Sequence, residues 1–342
     1  MPLRIAIVGI GGIGNRHARV YRSNPKAELV AVCDTIKEKA DSGARDLGVT
    51  PFYSIRDLLA SDLGIDACSV CTKGEENGGD HYAPTMELLE ARMPVLGEKP
   101  ISNDVNEGRE MVALARKKQI PYGINLNHRF TPAARRAKQW LTEGRLGRPH
   151  MVNMRMWINN PSETSPWFHL RALHPHSFDV LRYFCGDVTR VCCFCMKGEG
   201  RSIWSNAQIL LEFANGMVGN LAGSYDATGP GRSYGLEHVD LAGSTGRFLL
   251  EEACERLTFF PRHSMEIETF HNLGGMQHFD ETFDSRIGVW LDQLEEGVAH
   301  DQIEASGEDA LRVQLIIEAC IQSWETGKVV SMADFEPSGG VE

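Results

Sequence analysis

The sequence has no long apolar segment and no excess of positive charge. No stretch reaches the roughly 18 uncharged residues that a helix needs to cross a bilayer, so we expect no membrane partner. The 35 Lys and Arg are outnumbered by 46 Asp and Glu, which gives a net charge of −11. Nucleic-acid surfaces carry clustered Lys and Arg, so no nucleic-acid partner is expected either. Met1 leads into the strand-like run Leu3–Val8 rather than a secretory signal, which predicts a cytoplasmic protein.

The nine cysteines do not form the pattern of a disulfide scaffold or a metal site. Cys68 and Cys71 lie in a strand-like run, whereas a thioredoxin-like pair opens a helix. Cys192, Cys193 and Cys195 also lie in such a run, where adjacent side chains point to opposite faces. A zinc knuckle needs ligands that converge from turns. The sequence therefore predicts buried structural thiols in a reducing compartment, and no metal.

The length of 342 residues exceeds what one core usually holds and predicts two domains. Residues 1–124 alternate short apolar runs with helix-like segments. The predicted strands cover residues 3–8, 28–33, 65–71, 93–97 and 120–125, and the predicted helices cover about 13–23, 36–47, 80–92 and 104–118. Nearly continuous apolar runs are typical of parallel strands buried on both faces. We therefore expect an α/β fold whose first domain is a Rossmann domain with a doubly wound parallel sheet.

Residues 125–342 show alternating polarity and Gly-rich turns. Asn215-Gly216 and Gly243-Ser244-Thr245-Gly246 are such turns. The predicted strands cover residues 151–157, 203–213, 217–224, 238–241 and 247–251, and the predicted helices cover about 131–143, 176–184, 279–298 and 311–326. This pattern favours an α+β domain with a large, open, mostly antiparallel sheet and helices on one face.

A glycine-rich turn follows the first predicted strand. Its residues are Gly9, Ile10, Gly11, Gly12, Ile13 and Gly14, which fit the dinucleotide-binding pattern G-x-G-x-x-G between a strand and a helix. The helix N-terminus offers N–H groups and a partial positive charge to a pyrophosphate. Asp34 ends the second strand, where a carboxylate accepts hydrogen bonds from ribose hydroxyls and repels a 2′-phosphate. NAD is therefore favoured over NADP, and the nearby Lys37 weakens that preference.

Glu98-Lys99-Pro100 follows another predicted strand, at the carboxyl edge where open α/β sheets bind ligands. A lysine at that edge can stabilise a developing alkoxide and lower the pKa of a substrate hydroxyl. Taken alone, Lys99 would more often be a solvated surface residue. Its position after a buried strand makes it a candidate catalytic residue.

The glycine turn, Asp34 and Glu98-Lys99-Pro100, followed by a second domain, resemble the Gfo/Idh/MocA oxidoreductases. Further matching segments are Arg129-Phe130-Thr131-Pro132, the turn at 243–246 and the helix that starts near Glu308. The resemblance covers nearly the whole chain. It implies NAD(H) or NADP(H) chemistry on sugars, inositols and related polyols. It also implies a homodimer or homotetramer formed through the C-terminal sheet, with a closing helix at about 308–326 near the first domain.

The resemblance also assigns the acid–base residues. The segment that begins at His174 resembles the family's His-x-x-Asp helix, which makes His176 the catalytic histidine and Asp179 its neighbour one turn later. An imidazole suits this role because its unperturbed pKa is about 6.5. Many members have an Asp four residues before this histidine, where this chain has Ala172. His174, Asp179 and His169 are the candidates to orient His176 or relay its proton, and spacing does not choose among them.

The remaining candidates are cofactor and substrate contacts. Expected cofactor contacts beyond the glycine turn and Asp34 are Thr72, His81, Glu98, Lys99 and Asn125. Expected substrate contacts are Arg129, Trp157, His169, His174 and Asp179. Trp157 fits ordinary sheet packing equally well, and His174 fits a helix-entry residue equally well.

Three functions are compatible with these residues. The leading hypothesis is an NAD-dependent dehydrogenase that acts on a secondary alcohol of a sugar, glycoside or cyclitol. The second is a glycosidase that keeps NAD bound, oxidises its substrate transiently and reduces the product again, so that no NADH accumulates. The third is a non-catalytic nucleotide sensor of the same fold, which intact Lys99 and His176 disfavour.

Overall fold

The computed structural model describes residues 1–74, 76–227, 237–253, 255–276 and 279–335. Its strands are β1 (Leu3–Val8), β2 (Ala27–Cys33), β3 (Thr50–Phe52), β4 (Ala67–Val70), β5 (Val95–Gly97), β6 (Tyr122–Ile124), β7 (Pro149–Trp157), β8 (Val188–Met196), β9 (Asn206–Phe213), β10 (Val218–Ser224), β11 (His238–Gly243), β12 (Gly246–Glu251), β13 (Arg256–Pro261), β14 (Glu268–His271) and β15 (Val330–Ser331). Its α-helices are α1 (Gly12–Ser23), α2 (Lys37–Leu47), α3 (Ile55–Leu59), α4 (Tyr82–Glu90), α5 (Val105–Lys118), α6 (Pro132–Thr142), α7 (His174–Cys185), α8 (Glu281–Glu295) and α9 (Gly307–Thr326). Short 3-10 turns cover Asn127–Phe130, Leu273–Gly275 and His300–Gln302, and a π-helical turn covers His169–Leu173.

Internal contacts divide the chain into two units. Unit 1 holds residues 1–126 and 282–312, and unit 2 holds the described residues within 127–281 and 313–342. The domain boundary predicted from the sequence, between residues 124 and 125, places residues 282–312 in the second domain. This segment joins unit 1 because the buried Arg286 of α8 donates from Nε to the carbonyl of Ile124 at 3.0 Å. Lys26 also pairs with Asp292 of the same helix at 2.8 Å.

Unit 1 is built on a six-stranded parallel sheet in the order β3-β2-β1-β4-β5-β6. This order confirms the predicted doubly wound α/β fold. Residues Ile5–Val8 and the whole of β4 are buried, as expected for central parallel strands covered on both faces. Neither β3 nor α3 was predicted. Strand β3 has three residues, includes Pro51 and lies at the edge of the sheet, so it carries too little pattern to be recognised.

Unit 2 is built on a nine-stranded sheet in the order β14-β13-β12-β11-β7-β10-β9-β8-β15. Its strand pairs are antiparallel except for β7 and β10, so the predicted mostly antiparallel sheet is confirmed. The inner face packs a core that includes the fully buried Trp140 of α6 and Phe178 of α7. Gly243 and Gly246 flank the tight β11–β12 turn that the sequence predicted. Strands β8, β13, β14 and β15 were not among the predicted sheet segments, although part of β8 had a strand-like pattern.

The other face of this sheet exposes large apolar side chains. They are Met151, Phe194, Met196, Leu210 and Val218, each more than 45% exposed. The eight described cysteines are all free thiols, seven buried and Cys192 half-buried, while Cys254 lies outside the described residues. Among the described helices, none has the length and apolar character needed to span a membrane.

Candidate active site

The glycine turn combines positions that must be glycine for packing with two, Gly11 and Gly12, where an added Cβ would meet nothing within 4 Å. Gly9 has a φ of +90°, and a Cβ there would lie 2.7 Å from the Thr72 nitrogen. A Cβ on Gly14 would lie 2.1 Å from the carbonyl oxygen of Gly9. Gly11, by contrast, is extended (φ −84°, ψ −160°), and its Cβ would meet nothing within 4 Å. Open space therefore lies in front of Gly11 at the start of α1, where no side chain caps the helix.

Asp34 lies beside this turn at the end of β2. Its Oδ2 accepts a hydrogen bond from the Ile10 N–H at 3.1 Å, and its Oδ1 accepts one from the Ile36 N–H at 2.9 Å. Each carboxylate oxygen has a further lone pair that can accept a ribose hydroxyl. The Lys37 ammonium lies 5.2 Å from the centre of the Tyr53 ring. Its role in choosing between NAD and NADP stays a prediction.

Glu98, directly after β5, is the centre of a buried hydrogen-bond network. Its Oε1 accepts from the Asn125 amide at 2.6 Å and contacts His17 Nε2 at 2.9 Å. The other ring nitrogen of His17 contacts the Ser69 hydroxyl at 3.2 Å. Burial alone would raise the pKa of Glu98, but the hydrogen bond from His17 and the charge of Lys99 outweigh it and lower that pKa. The network therefore holds Glu98 as a carboxylate.

Lys99 is half-buried at the carboxyl end of β5, as predicted. Loss of solvent around its ammonium lowers its pKa, and the neighbouring charge of Glu98 opposes that shift. Asn125 follows β6, and its Nδ2 faces Glu98 because a carboxylate requires a donor. Its Oδ1 is buried and has no hydrogen-bond partner among the described residues, which leaves an acceptor at this strand edge.

The loop after β4 brings Thr72 and His81 to the same region of unit 1. The Thr72 hydroxyl donates to the Asp80 carbonyl at 2.5 Å. His81 precedes α4 and is buried, with Nδ1 2.8 Å from the Pro100 carbonyl oxygen. Burial lowers the pKa of His81, so it is held as a neutral ring. These contacts tie the loop to the Lys99-Pro100 segment, while cofactor binding by either residue stays a prediction.

In unit 2, the predicted base His176 lies in the first turn of α7 and is 7% exposed. The ring of His128 stacks on it with centroids 4.1 Å apart and an interplanar angle of 7°. His128 Nδ1 is 2.6 Å from Glu237 Oε2, and both of these side chains are buried. The stacking contact with His176 is made by none of the three candidates considered from the sequence, His169, His174 and Asp179.

Arg129 and Asp179, both predicted substrate contacts, bind each other. The Arg129 guanidinium donates from Nε to Asp179 Oδ2 at 2.7 Å and from its terminal nitrogen to Oδ1. Both side chains are buried, and the guanidinium also lies 5.4 Å from the centre of the Tyr183 ring. The pair joins the 3-10 turn after β6 to α7. A role in substrate binding stays a prediction for both residues.

His169 and His174 also pair with each other, with their Nε2 atoms 3.0 Å apart. Both rings are fully buried. Burial lowers the pKa of His169 to about 3 and that of His174 well below its ordinary value, so both rings are neutral. Gly223 must be glycine here because its Cβ would lie 2.1 Å from His174 Nε2. A role in substrate binding stays a prediction for both residues.

Trp157 ends β7, half-buried. Because side chains alternate along a strand and Met156 is in the core, Trp157 points to the face opposite the one on which α7 packs. The Arg155 guanidinium lies 4.6 Å from the centre of its ring. This placement favours the sheet-packing interpretation over contact with a substrate held at His176.

Two models of known protein families match this chain, one in each half. A model described as an oxidoreductase family with an NAD-binding Rossmann fold matches residues 3–126. A model described as the GFO/IDH/MocA C-terminal domain matches residues 134–249. The chain belongs to the Gfo/Idh/MocA oxidoreductases. This membership confirms the predicted family and its NAD cofactor.

Individual proteins are similar to this chain over nearly all of its length or over part of it. Myo-inositol 2-dehydrogenase of Thermotoga maritima is 22% identical over 347 residues, which cover 97% of this chain and 99% of the relative. D-glucoside 3-dehydrogenase of Escherichia coli is 31% identical over 155 residues, 45% of this chain and 43% of the relative. The structure of levoglucosan dehydrogenase in complex with NADH and levoglucosan matches with a TM-score of 0.85 at 19% identity, covering 97% of this chain and 100% of that one. That last likeness supports the fold.

The residues of unit 1 fit the NAD of this Gfo/Idh/MocA family. Neither backbone strain nor packing within the chain requires glycine at position 11, so the open space there suits a close pyrophosphate. The α1 N-terminus supplies N–H groups to its oxygens. Asp34 keeps lone pairs for the adenosine ribose. Asn125 Oδ1, which has no hydrogen-bond partner within the described part of the chain, can accept from a carboxamide.

Four polar residues were missed from the sequence: His17, Ser69, His128 and Glu237. His17 was detectable in principle, because it shares the buried face of α1 with Gly14, Ala18 and Tyr21. A histidine on the apolar face of a helix needs a buried partner. His128 and Glu237 are 109 positions apart and carry no local signal of their contact.

Proposed function

We propose that this protein is an NAD-dependent dehydrogenase that oxidises a secondary alcohol of a sugar, glycoside or cyclitol to a ketone. The observation that carries the proposal is Lys99, which follows β5 in the unit that holds the glycine turn. Its pKa is lowered by burial, as expected of a lysine that must act on a hydroxyl near neutral pH. The inositol and sugar dehydrogenases among its relatives support a polyol substrate.

The chemistry assigns one task to each catalytic residue. Bound NAD supplies the hydride acceptor. Lys99 donates a hydrogen bond to the substrate oxygen and stabilises the alkoxide that develops as the C–H bond breaks. His176 accepts the hydroxyl proton and returns it to solvent after the product leaves. Glu98 keeps a negative charge beside Lys99 and so favours its ammonium form.

The test is a panel of inositols, sugars and glycosides with NAD, followed by the absorbance of NADH. A dehydrogenase forms one NADH per ketone, whereas an NAD-retaining glycosidase accumulates none. Lys99→Met and His176→Asn should each lower kcat by about 10²–10⁴-fold, with NAD affinity within about tenfold. Lys117→Met on the exposed side of α5 is the matched control and should leave kcat unchanged. A Lys99→Met enzyme that retains half its rate would remove Lys99 from the chemistry.

The proposal includes a homodimer or homotetramer in the cytoplasm. The apolar side chains exposed on the open face of the unit 2 sheet support assembly through that face. The free thiols of the described cysteines support a reducing compartment. Phe194→Glu should shift the mass measured by light scattering to that of a monomer.

A further inference from the structure

His128 belongs to a buried acid–base pair that the proposed chemistry has not used. It lies in the 3-10 turn Asn127–Phe130, and Glu237 directly precedes β11. Each residue is 1% exposed, and His128 Nδ1 lies 2.6 Å from Glu237 Oε2. A carboxylate accepts but does not donate, so the hydrogen bond fixes the His128 proton on Nδ1.

The ring of His128 is held on several sides. It stacks almost flat on His176, and the Phe279 ring forms a T-shaped contact with it, with centroids 5.7 Å apart and an interplanar angle of 78°. Its Nε2 is buried and has no hydrogen-bond partner among the described residues. The His128 ring is fixed by its hydrogen bond to Glu237 and stacks on His176. It therefore restricts rotation of the His176 imidazole out of its plane.

Packing alone does not account for this arrangement. A buried carboxylate and an unused ring nitrogen each cost free energy, and apolar side chains of similar volume would fill the same space at no such cost. Position 172 is an alanine, so that side chain brings no charge to His176. The ring that stacks on His176, that of His128, is itself paired with the Glu237 carboxylate.

We propose that His128 and Glu237 are positioning residues for His176, fixing the plane of its ring and favouring its protonated form. The proposal rests on the proposed function, in which His176 takes the proton of the substrate hydroxyl. The negative charge of Glu237, linked by a hydrogen bond to the ring that stacks on His176, then favours the imidazolium of His176. The proton passes from the hydroxyl to His176 and then to water, while His128 keeps its proton and Glu237 stays ionised.

Other charged or titratable groups occur on α7 and on the elements packed against it. They are His128, Arg129, Arg135, Arg136, Lys138, His150, Arg155, His169, Arg171, His174, Asp179, Arg182 and, beside His128, Glu237. The charge of Asp179 is matched by Arg129, and burial keeps His169 and His174 neutral. Glu237, in contrast, is paired with a histidine that is itself in contact with His176.

The experiment titrates His176 by NMR in ring-labelled enzyme without substrate, with its signal assigned by its loss in His176→Gln. In Glu237→Gln the pKa of His176 should fall by about one unit or more, because a lost negative charge disfavours the imidazolium. His128→Phe keeps a stacked ring but removes the link to the carboxylate and should lower it similarly. Glu252→Gln is the matched control, because Glu252 forms a like pair with His238 at 2.8 Å, and it should leave the titration unchanged.

A second readout uses the pH profile of oxidation. The acidic limb of kcat/KM reports deprotonation of the base. It should move to lower pH in Glu237→Gln and His128→Phe, with kcat reduced by about 10-fold or more and KM changed less than about threefold. An unchanged His176 titration in both variants overturns the proposal. A wild-type enzyme that oxidises no polyol instead refutes the proposed function, and the substrate-free titration still decides the role of the pair.

Discussion

Replacing Gly11 with alanine separates the packing role of the glycine turn from its role in ligand approach. The backbone at Gly11 is extended, and an added Cβ meets nothing within 4 Å. Because alanine adopts this conformation without strain, the variant should be as stable as the wild type or more stable by about 0.4–1 kcal/mol. Gly14→Ala is the contrast, since its Cβ would lie 2.1 Å from the Gly9 carbonyl oxygen and must displace backbone.

The same methyl group should weaken NAD. It occupies the open space where the pyrophosphate approaches the N–H groups at the start of α1. A lost hydrogen bond to a charged oxygen costs about 1.5–3 kcal/mol. Because about 1.4 kcal/mol corresponds to a tenfold change in Kd, displacement of one such contact predicts a loss of roughly 10–150-fold.

Calorimetric titration with NAD and thermal unfolding of the free protein measure the two effects separately. Gly288→Ala in α8 is the control, because its Cβ also meets nothing within 4 Å and it lies in unit 1 away from the turn. It should gain about 0.8–1 kcal/mol of helix stability without any change in Kd. A Gly11→Ala protein that binds NAD within twofold of the wild type would refute the assignment of the turn to the pyrophosphate. A Gly11→Ala protein that does not fold would refute the claim that a Cβ at position 11 meets no other atom within 4 Å.

Three further predictions concern other parts of the chain. Asp34→Ala should weaken NAD by a few kcal/mol and NADP much less, because the ribose acceptor and the repulsion of a 2′-phosphate are lost together; titration with both cofactors measures this, and equal wild-type affinities would contradict it. The lowered pKa values of His169 and His174 should reduce the free energy of unfolding as the pH falls from about 6.5 toward 3, because the unfolded chain binds more protons than the folded one in this range. Urea unfolding between pH 7 and pH 5 measures how the free energy of unfolding changes with pH. Gly223→Ala should lower the melting temperature, because its Cβ meets the His174 ring, and an unchanged value would show that the ring moves freely.

Local pattern was enough to predict most elements of unit 1. Parallel strands are apolar on both faces, so β1, β2 and β4 were visible as continuous runs, and glycine at positions 9 and 14 marked the first turn. The grouping of 282–312 with unit 1 was not predictable from pattern. It depends on Arg286 meeting the Ile124 carbonyl across 162 positions, and no periodicity encodes such a contact.

The candidate site was predictable as a set of positions and less so as a set of contacts. Lys99 lies at the strand end and His176 at the helix start that the sequence indicated. Arg129 and Asp179 were predicted separately as substrate contacts, and their ion pair with each other was not predicted. Spacing reports distances along a chain, so it offered the neighbours of His176 in sequence, whereas the ring that contacts it comes from His128, 48 positions away.

Each predicted catalytic residue stands beside a buried histidine–carboxylate pair. Lys99 follows Glu98, which His17 contacts at 2.9 Å, and His176 stacks on His128, which Glu237 contacts at 2.6 Å. Buried ion pairs contribute little net stability, because desolvation offsets their attraction, and well-packed apolar side chains often stabilise a fold as well. Two such pairs at the two proposed acid–base residues are therefore better explained by the charge states that catalysis needs than by folding. On this argument, replacing either pair with apolar side chains should spare the fold and lower the activity, which separates the stability of this chain from its chemistry.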